Sequence, residues 1–242
     1  MRIAVAQIGS GENKEMNRYM IERLAWSASE AGADMLFLPE YAMFCAGSDR
    51  AARNMEAAEP FDGPFVTALS ELAAGQGLWI CAGMYEQTDG LPYNTVVVID
   101  DEGRLRGTHR KNRLYDAFGY RESEECRAGE QPFEPVETPA GRLGIITCYE
   151  LRFPELAAEQ KKRGAEVLFV PAGWDDMALL CARAIENGVT VIGADQYRAD
   201  HFIGHSAVFA PDGTTLASLG AGEGLLVTEI TGTEEEEEGE EE

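Results

Sequence analysis
Short apolar runs recur along the chain, at 3–8, 35–38, 78–84, 95–99, 143–147, 167–170, 189–193, 206–209 and 225–230, and they predict strands. Between several of them, apolar residues return at helical spacing. Residues 13–31 set Met16, Met20, Leu24 and Ala28 along one stripe, and 64–74, 154–163 and 176–186 predict three shorter helices. Asp101-Glu102-Gly103 and Pro211-Asp212-Gly213 are turn signals between strands and predict hairpins. The pattern is mixed α/β. No break in composition precedes the glutamate-rich end, so we expect one domain over 1–230 and a disordered acidic tail over 231–242. Residues 31–40 (AGADMLFLPE) and 163–172 (RGAEVLFVPA) are faintly alike, each a helix end with glycine followed by a strand ending in proline. The likeness hints at two similar halves facing each other, although any two βα units could produce it.

The 242 residues can bury one sizeable core, and 45% hydrophobic content is ordinary for a globular protein. No apolar run reaches membrane-spanning length, and the first residues are too short and too polar-flanked for a secretory signal, so the expectation is a soluble, cytoplasmic protein. Five scattered cysteines with no C-x-x-C pair argue for reduced thiols, against a disulfide framework or zinc knuckle. Of the net charge of −23, eight units lie in the glutamates at 234–238 and 240–242, which leaves about −15 on the rest. A body this acidic repels phosphate backbones and anionic membranes, which excludes nucleic acid and membrane surfaces as expected partners.

The run 143–147 reads as a buried strand and ends in Cys148; Pro154-Glu155 then reads as a helix start. A thiol at such a turn meets free N–H groups and the positive end of a helix, which favour a thiolate and can receive an oxyanion. This is geometry for acyl transfer. A lone cysteine after an apolar strand is also an ordinary core residue, so other residues must decide. Glu40 follows the strand at 35–38 and stands where a general base could act, but it is one acid among 43. His109-Arg110-Lys111-Asn112-Arg113 is a dense basic patch in an acidic chain, which suggests a specific negative charge to neutralise. Glu122 offers a second acid shortly after it.

In this order the pieces resemble the nitrilase superfamily of carbon–nitrogen hydrolases. The matching segments are FLPEY with Glu40, HRKNRLYDAFGYRES with Lys111 and Glu122, and TCYELRFPE with Cys148. The likeness continues through CARAIENG, GADQ and GHSAVFAPDG, and covers essentially residues 2–230. It implies an α-β-β-α sandwich assembled into homodimers or larger homo-oligomers, with no metal or organic cofactor. It also implies Cys148 as nucleophile, Glu40 as proton carrier, Lys111 with the Tyr149 N–H as oxyanion holders, and Glu122 beside the lysine. Tyr41, Tyr149 and Trp174 would be pocket walls. The implied reaction is hydrolysis of a small linear amide to carboxylate and ammonia through a thioester. The motif contexts look closest to the branch acting on ω-amides of dicarboxylates and deaminated-glutathione-like amides, ahead of N-carbamoyl amino acids and of nitriles.

The chain also departs from the family pattern. The stretch between Trp174 and the CARAIENG helix is short, Arg113 stands where a histidine is usual, and Cys181 where an arginine is usual. Other chemistries are weaker readings. A papain-like pairing of Cys148 with His205 or His201 is possible on composition. Neither a zinc-ligand spacing nor a G-x-G-x-x-G after a strand occurs. A catalytically silent binding subunit is the remaining alternative, motivated by the short loop and opposed by the presence of Glu40, Lys111 and Cys148.

Overall fold
A computed structural model describes residues 1–173, 176–199 and 201–231. Strands β1 (Arg2–Gln7), β2 (Met35–Phe37), β3 (Trp79–Glu86), β4 (Tyr93–Ile99) and β5 (Leu105–Arg110) make most of one sheet. The second sheet takes β6 (Val136–Thr138), β7 (Gly141–Ile145), β8 (Val167–Ala172) and β9 (Thr190–Asp195). A two-stranded ribbon, β10 (Tyr197–Arg198) with β11 (Phe202–Ile203), precedes β12 (Ala207–Phe209) and β13 (Thr215–Ser218) of the second sheet, and β14 (Gly224–Glu229) returns to the first. The strand orders are β14-β1-β2-β3-β4-β5 and β13-β12-β9-β8-β7-β6. At the centre of each sheet three strands run parallel, β1 to β3 and β7 to β9, and the flanking pairs are antiparallel.

Alternate residues of each strand serve opposite faces. Ile3, Val5, Met35 and Phe37 share a core with Leu143, Ile145, Phe169 and Ile192 of the other sheet. Ala4, Ala6 and Leu36 pack outward with Ile21 and Ala25 of α1 (Lys14–Glu30) and Leu69 of α3 (Pro64–Gln76), α2 (Arg50–Ala57) lying between those helices in the chain. On the other side, Leu168 and Val170 pack with Ala157 of α4 (Pro154–Lys162) and Leu180 and Ala184 of α5 (Met177–Asn187). The result is the expected α-β-β-α sandwich. Its central strands are covered on both faces, which is why their sequences are apolar at nearly every position.

Helix limits follow local chemistry. Asn13 caps α1 by accepting the Met16 N–H, Pro64 and Pro154 occupy first turns, and Gly77 and Gly188 end α3 and α5 in left-handed conformation. The stripe expected on α1 holds at Ala28 and in part at Leu24, but its inward face is shifted by one residue over the first turns. Met16 is 55% exposed, while Asn17, Ile21, Ala25 and Ala28 face inward. Asn17 goes inward because its amide donates to the carbonyls of Gly11 and Met43, tying down the loop after Glu40. Both expected hairpins form, β4 to β5 and β12 to β13. Among the described residues five strands escaped the sequence pattern, β5, β6 and β13 at the edges of the two large sheets and both strands of the β10–β11 ribbon, places where one side of the ladder is unpaired and polar residues are tolerated. Among the described residues no helix is long and apolar enough to cross a membrane. Residues 232–242 of the expected tail lie outside the described residues.

Candidate active site
The first component leaves the end of β2. Three residues beyond the paired strand, Glu40 carries its carboxylate into the interior, with its side chain only 1% exposed. Gln196 holds this corner by donating to the Glu40 carbonyl at 2.7 Å, and the Gly173 N–H donates to Glu40 Oε2 at 2.9 Å.

The basic patch supplies the second component because it runs along β5 and just past it. Alternation sends His109 and Lys111 inward and Arg110 outward, where Arg110 pairs with Glu86 and stacks on Tyr93 at 4.3 Å. The Lys111 ammonium lies 2.9 Å from Glu40 Oε1 and 2.9 Å from Glu122 Oε2. Burial by itself would lower the Lys111 pKa, but Glu122 and Glu40 outweigh it and hold it well above its ordinary value. The residue stays charged. Glu122 is fixed in turn by the Tyr115 N–H at 2.7 Å.

The third component ends the strand path of β7. Cys148 has a backbone φ of +49°, a conformation that costs free energy for a residue with a side chain and is held here by its surroundings. A 3-10 turn, Cys148–Arg152, follows, and α4 begins only at Pro154. The Glu150 carboxylate within this turn accepts the N–H of Thr147 at 2.7 Å, the N–H of Asn112 at 2.7 Å and the His109 Nε2 contact at 2.7 Å. One buried acid therefore ties the residue before Cys148 to the residue after Lys111. Burial would raise the Glu150 pKa, but His109 and the N–H donors prevail and lower it.

The pull toward a thiolate expected of the turn at Cys148 does not prevail. Burial and the Glu40 carboxylate push its pKa well above the ordinary thiol value, against the opposing pull of Lys111 and the Gly173 N–H. Cys148 is thus a thiol at neutral pH, and a base must take its proton before it can attack. The groups acting most strongly on it are Glu40, Lys111 and Glu122, not a histidine.

A cavity of about 520 Å³ opens over these groups. Glu40, Tyr41, Cys148 and Tyr149 line it, while Lys111 and Glu122 stand behind its wall, each 2% exposed or less. Trp174 lies outside the described residues. Sequence reasoning passed over Asn94, whose Nδ2 donates to Glu40 Oε1 at 2.7 Å and Glu122 Oε1 at 3.1 Å. The signal available was a lone asparagine at the head of the apolar strand YNTVVVI. It also passed over Arg50, Tyr115, Tyr120 and Arg198 as cavity walls, for they come from loops and short elements. Among the described residues no cluster of histidine, cysteine and acid side chains is arranged to hold a metal ion. A thiol, a carboxylate and an ammonium around one cavity are the parts needed for acyl transfer.

The sequence and the fold are similar to those of known proteins. Residues 2–236 match the family model for carbon–nitrogen hydrolases. The chain is 35% identical to deaminated glutathione amidase of Rattus norvegicus, with 94% of this chain and 76% of that protein covered, and 33% identical to the Homo sapiens protein of the same name at 94% and 76%. The NitFhit protein of Caenorhabditis elegans superposes with a TM-score of 0.87 at 31% identity, covering 94% of this chain and 60% of that one. A variant of the amidase from Nesterenkonia sp. AN1, holding acrylamide added at its active site cysteine, gives a TM-score of 0.82 at 28% identity over 96% of this chain and 93% of that chain. The chain belongs to the carbon–nitrogen hydrolase family.

Proposed function
We propose that this hydrolase cleaves the C–N bond of a small linear amide to give a carboxylate and ammonia from an ω-amide of a dicarboxylate, or a carboxylate and the corresponding amine from a similar deaminated peptide amide. The observation that carries the reading is Lys111, a buried ammonium 2.9 Å from each of two carboxylates, beside a cavity lined by both Glu40 and Cys148. The names of the amidase relatives favour the same reaction class.

In this reading Glu40 takes the Cys148 proton as sulfur attacks the amide carbonyl carbon, and the carbonyl oxygen becomes an oxyanion. Lys111 and the Tyr149 N–H stabilise that oxyanion. As it collapses, the C–N bond breaks, Glu40 returns its proton to the departing nitrogen, and ammonia leaves a thioester on Cys148. Glu40 then removes a proton from water, which attacks the thioester; sulfur leaves, is reprotonated, and the carboxylic acid departs. Glu122 and Asn94 keep Glu40 and Lys111 in register, and Tyr41 forms part of the wall.

Ammonia release across ω-amides, N-carbamoyl compounds and nitriles, with Cys148→Ala as control, tests the reading. Release from ω-amides that falls at least about 1,000-fold in the alanine variant is expected. Release from N-carbamoyl compounds alone would transfer the assignment to that class. Equal turnover by the variant would end the mechanism.

A further inference from the structure
Five of the cavity's side chains are aromatic, and its cations are gathered on one wall. Arg50 opens α2, where Asp49 turns the chain at a φ of +47°, and its side chain is 16% exposed. Its guanidinium is held on several sides. Nε donates to Glu125 Oε2 at 2.8 Å and Nη1 to the Ala46 carbonyl at 3.1 Å, while the rings of Tyr41 and Tyr120 lie 5.9 and 5.5 Å from Cζ. Among the described residues Nη2 makes no hydrogen bond, so a rigidly placed fork retains donors. Arg198 reaches the same wall. It lines the cavity and extends Nη1 to within 3.7 Å of Cys45 Sγ, and Arg50 and Arg198 both act electrostatically on that buried thiol.

We propose that Arg50 and Arg198 form a carboxylate subsite, so that the amide hydrolysed here carries a second, anionic acid group at the far end of a short acyl chain. The assignment rests on the amidase reading above. Two guanidinium groups brought to one cavity wall in a chain of net charge −23 supply the local positive field that an anionic substrate requires to enter. Tyr41 sets the spacing. Its hydroxyl stands 3.5 Å from Glu122 Oε1 and its ring lies beside Arg50, which puts the cationic wall about one tyrosine side chain away from the buried charge cluster. Tyr115, Tyr149 and Phe202 offer apolar surface to the methylenes between the two ends.

The test compares kcat/KM for succinamate and for butyramide, which has a methyl group in place of the carboxylate. Wild-type enzyme is expected to prefer succinamate about 100-fold, the range of a charge-assisted, forked contact. Arg50→Met should bring that ratio to within about fivefold of unity, Arg50→Lys should give an intermediate ratio, since charge remains without the fork, and Arg198→Met should lower the ratio as well. Butyramide hydrolysed as well as succinamate by the wild type overturns the subsite and leaves the amidase reading standing. An Arg50→Met variant that slows both amides equally shows Arg50 to be only a tether for Glu125, and also overturns it. Ammonia from neither amide overturns the amidase reading and this assignment with it.

Discussion
Gly173 donates its backbone N–H to Glu40 Oε2 at 2.9 Å, and this bond joins the ends of two equivalent strands. Glu40 follows β2 and Gly173 follows β8, the two segments whose sequences are alike. Within them Phe37 and Phe169 occupy matching positions and pack ring against ring, with centroids 4.8 Å apart. The Gly173 N–H also bears on Cys148. Two sheets pressed face to face thus set a carboxylate from one half beside a thiol from the other, and the distance between them is governed by core packing.

Lys111 bridges Glu40 and Glu122 and offsets the repulsion between them, so Lys111→Met leaves two buried acids adjacent with no cation. One of them must then bind a proton. The variant should lose about 3–5 kcal/mol of stability, the usual cost of breaking a buried ion pair, and kcat should fall about 1,000-fold. Lys111→Arg should not restore the rate, because a planar fork does not fit a site built for a compact ammonium. Urea unfolding and steady-state kinetics check both statements; wild-type kcat in Lys111→Arg contradicts them.

Gly83 on β3 lets the chain around Glu40 pass close by. A Cβ there would lie 2.8 Å from the Tyr41 nitrogen, 2.9 Å from Glu40 Cα and 2.9 Å from the Pro39 carbonyl, all backbone atoms. Gly83→Ala should therefore displace Glu40 without touching the cavity. We expect a loss of about 1–3 kcal/mol in stability and a fall of about 100-fold in kcat, larger than the change in KM. An unchanged kcat contradicts the claim that Glu40 must be placed this closely.

Glu150 titrates in a way that stability can report. The fold holds its pKa below the unfolded value of about 4.3, so its contribution is complete above that pH and is lost as pH falls through the folded value. Glu150→Gln should cost about 3 kcal/mol at pH 7, because the neutral amide cannot replace the charge that His109 and the N–H donors address. The gap between variant and wild type should narrow as unfolding is measured at progressively lower pH. A gap of constant size from pH 7 to pH 3 contradicts it.

Much of this site was legible in the sequence because it lies where strong patterns end. Glu40 and Cys148 each follow an apolar strand, and Lys111 sits in a cationic segment that runs against the overall charge. The likeness between 31–40 and 163–172 already pointed to the strands that meet at Phe37 and Phe169. Other features depend on contacts between distant segments and leave no local trace. Asn94 falls just outside the strand expected at 95–99 and takes on meaning only where Glu40 and Glu122 converge on it, and Arg50 carries no signal until Tyr41 and Tyr120 lie beside it. The balance of influences on Cys148 was misjudged for a related reason. The turn suggested stabilising N–H groups, but burial and the adjoining Glu40 carboxylate act more strongly.

Enzyme quenched during turnover of an ω-amide and digested for mass spectrometry tests the thioester directly. The peptide containing Cys148 should be heavier by the acyl group of the substrate, and the adduct should vanish in Cys148→Ala together with ammonia release. An acyl group found on another residue, or ammonia released by Cys148→Ala at the wild-type rate, would contradict nucleophilic catalysis at Cys148.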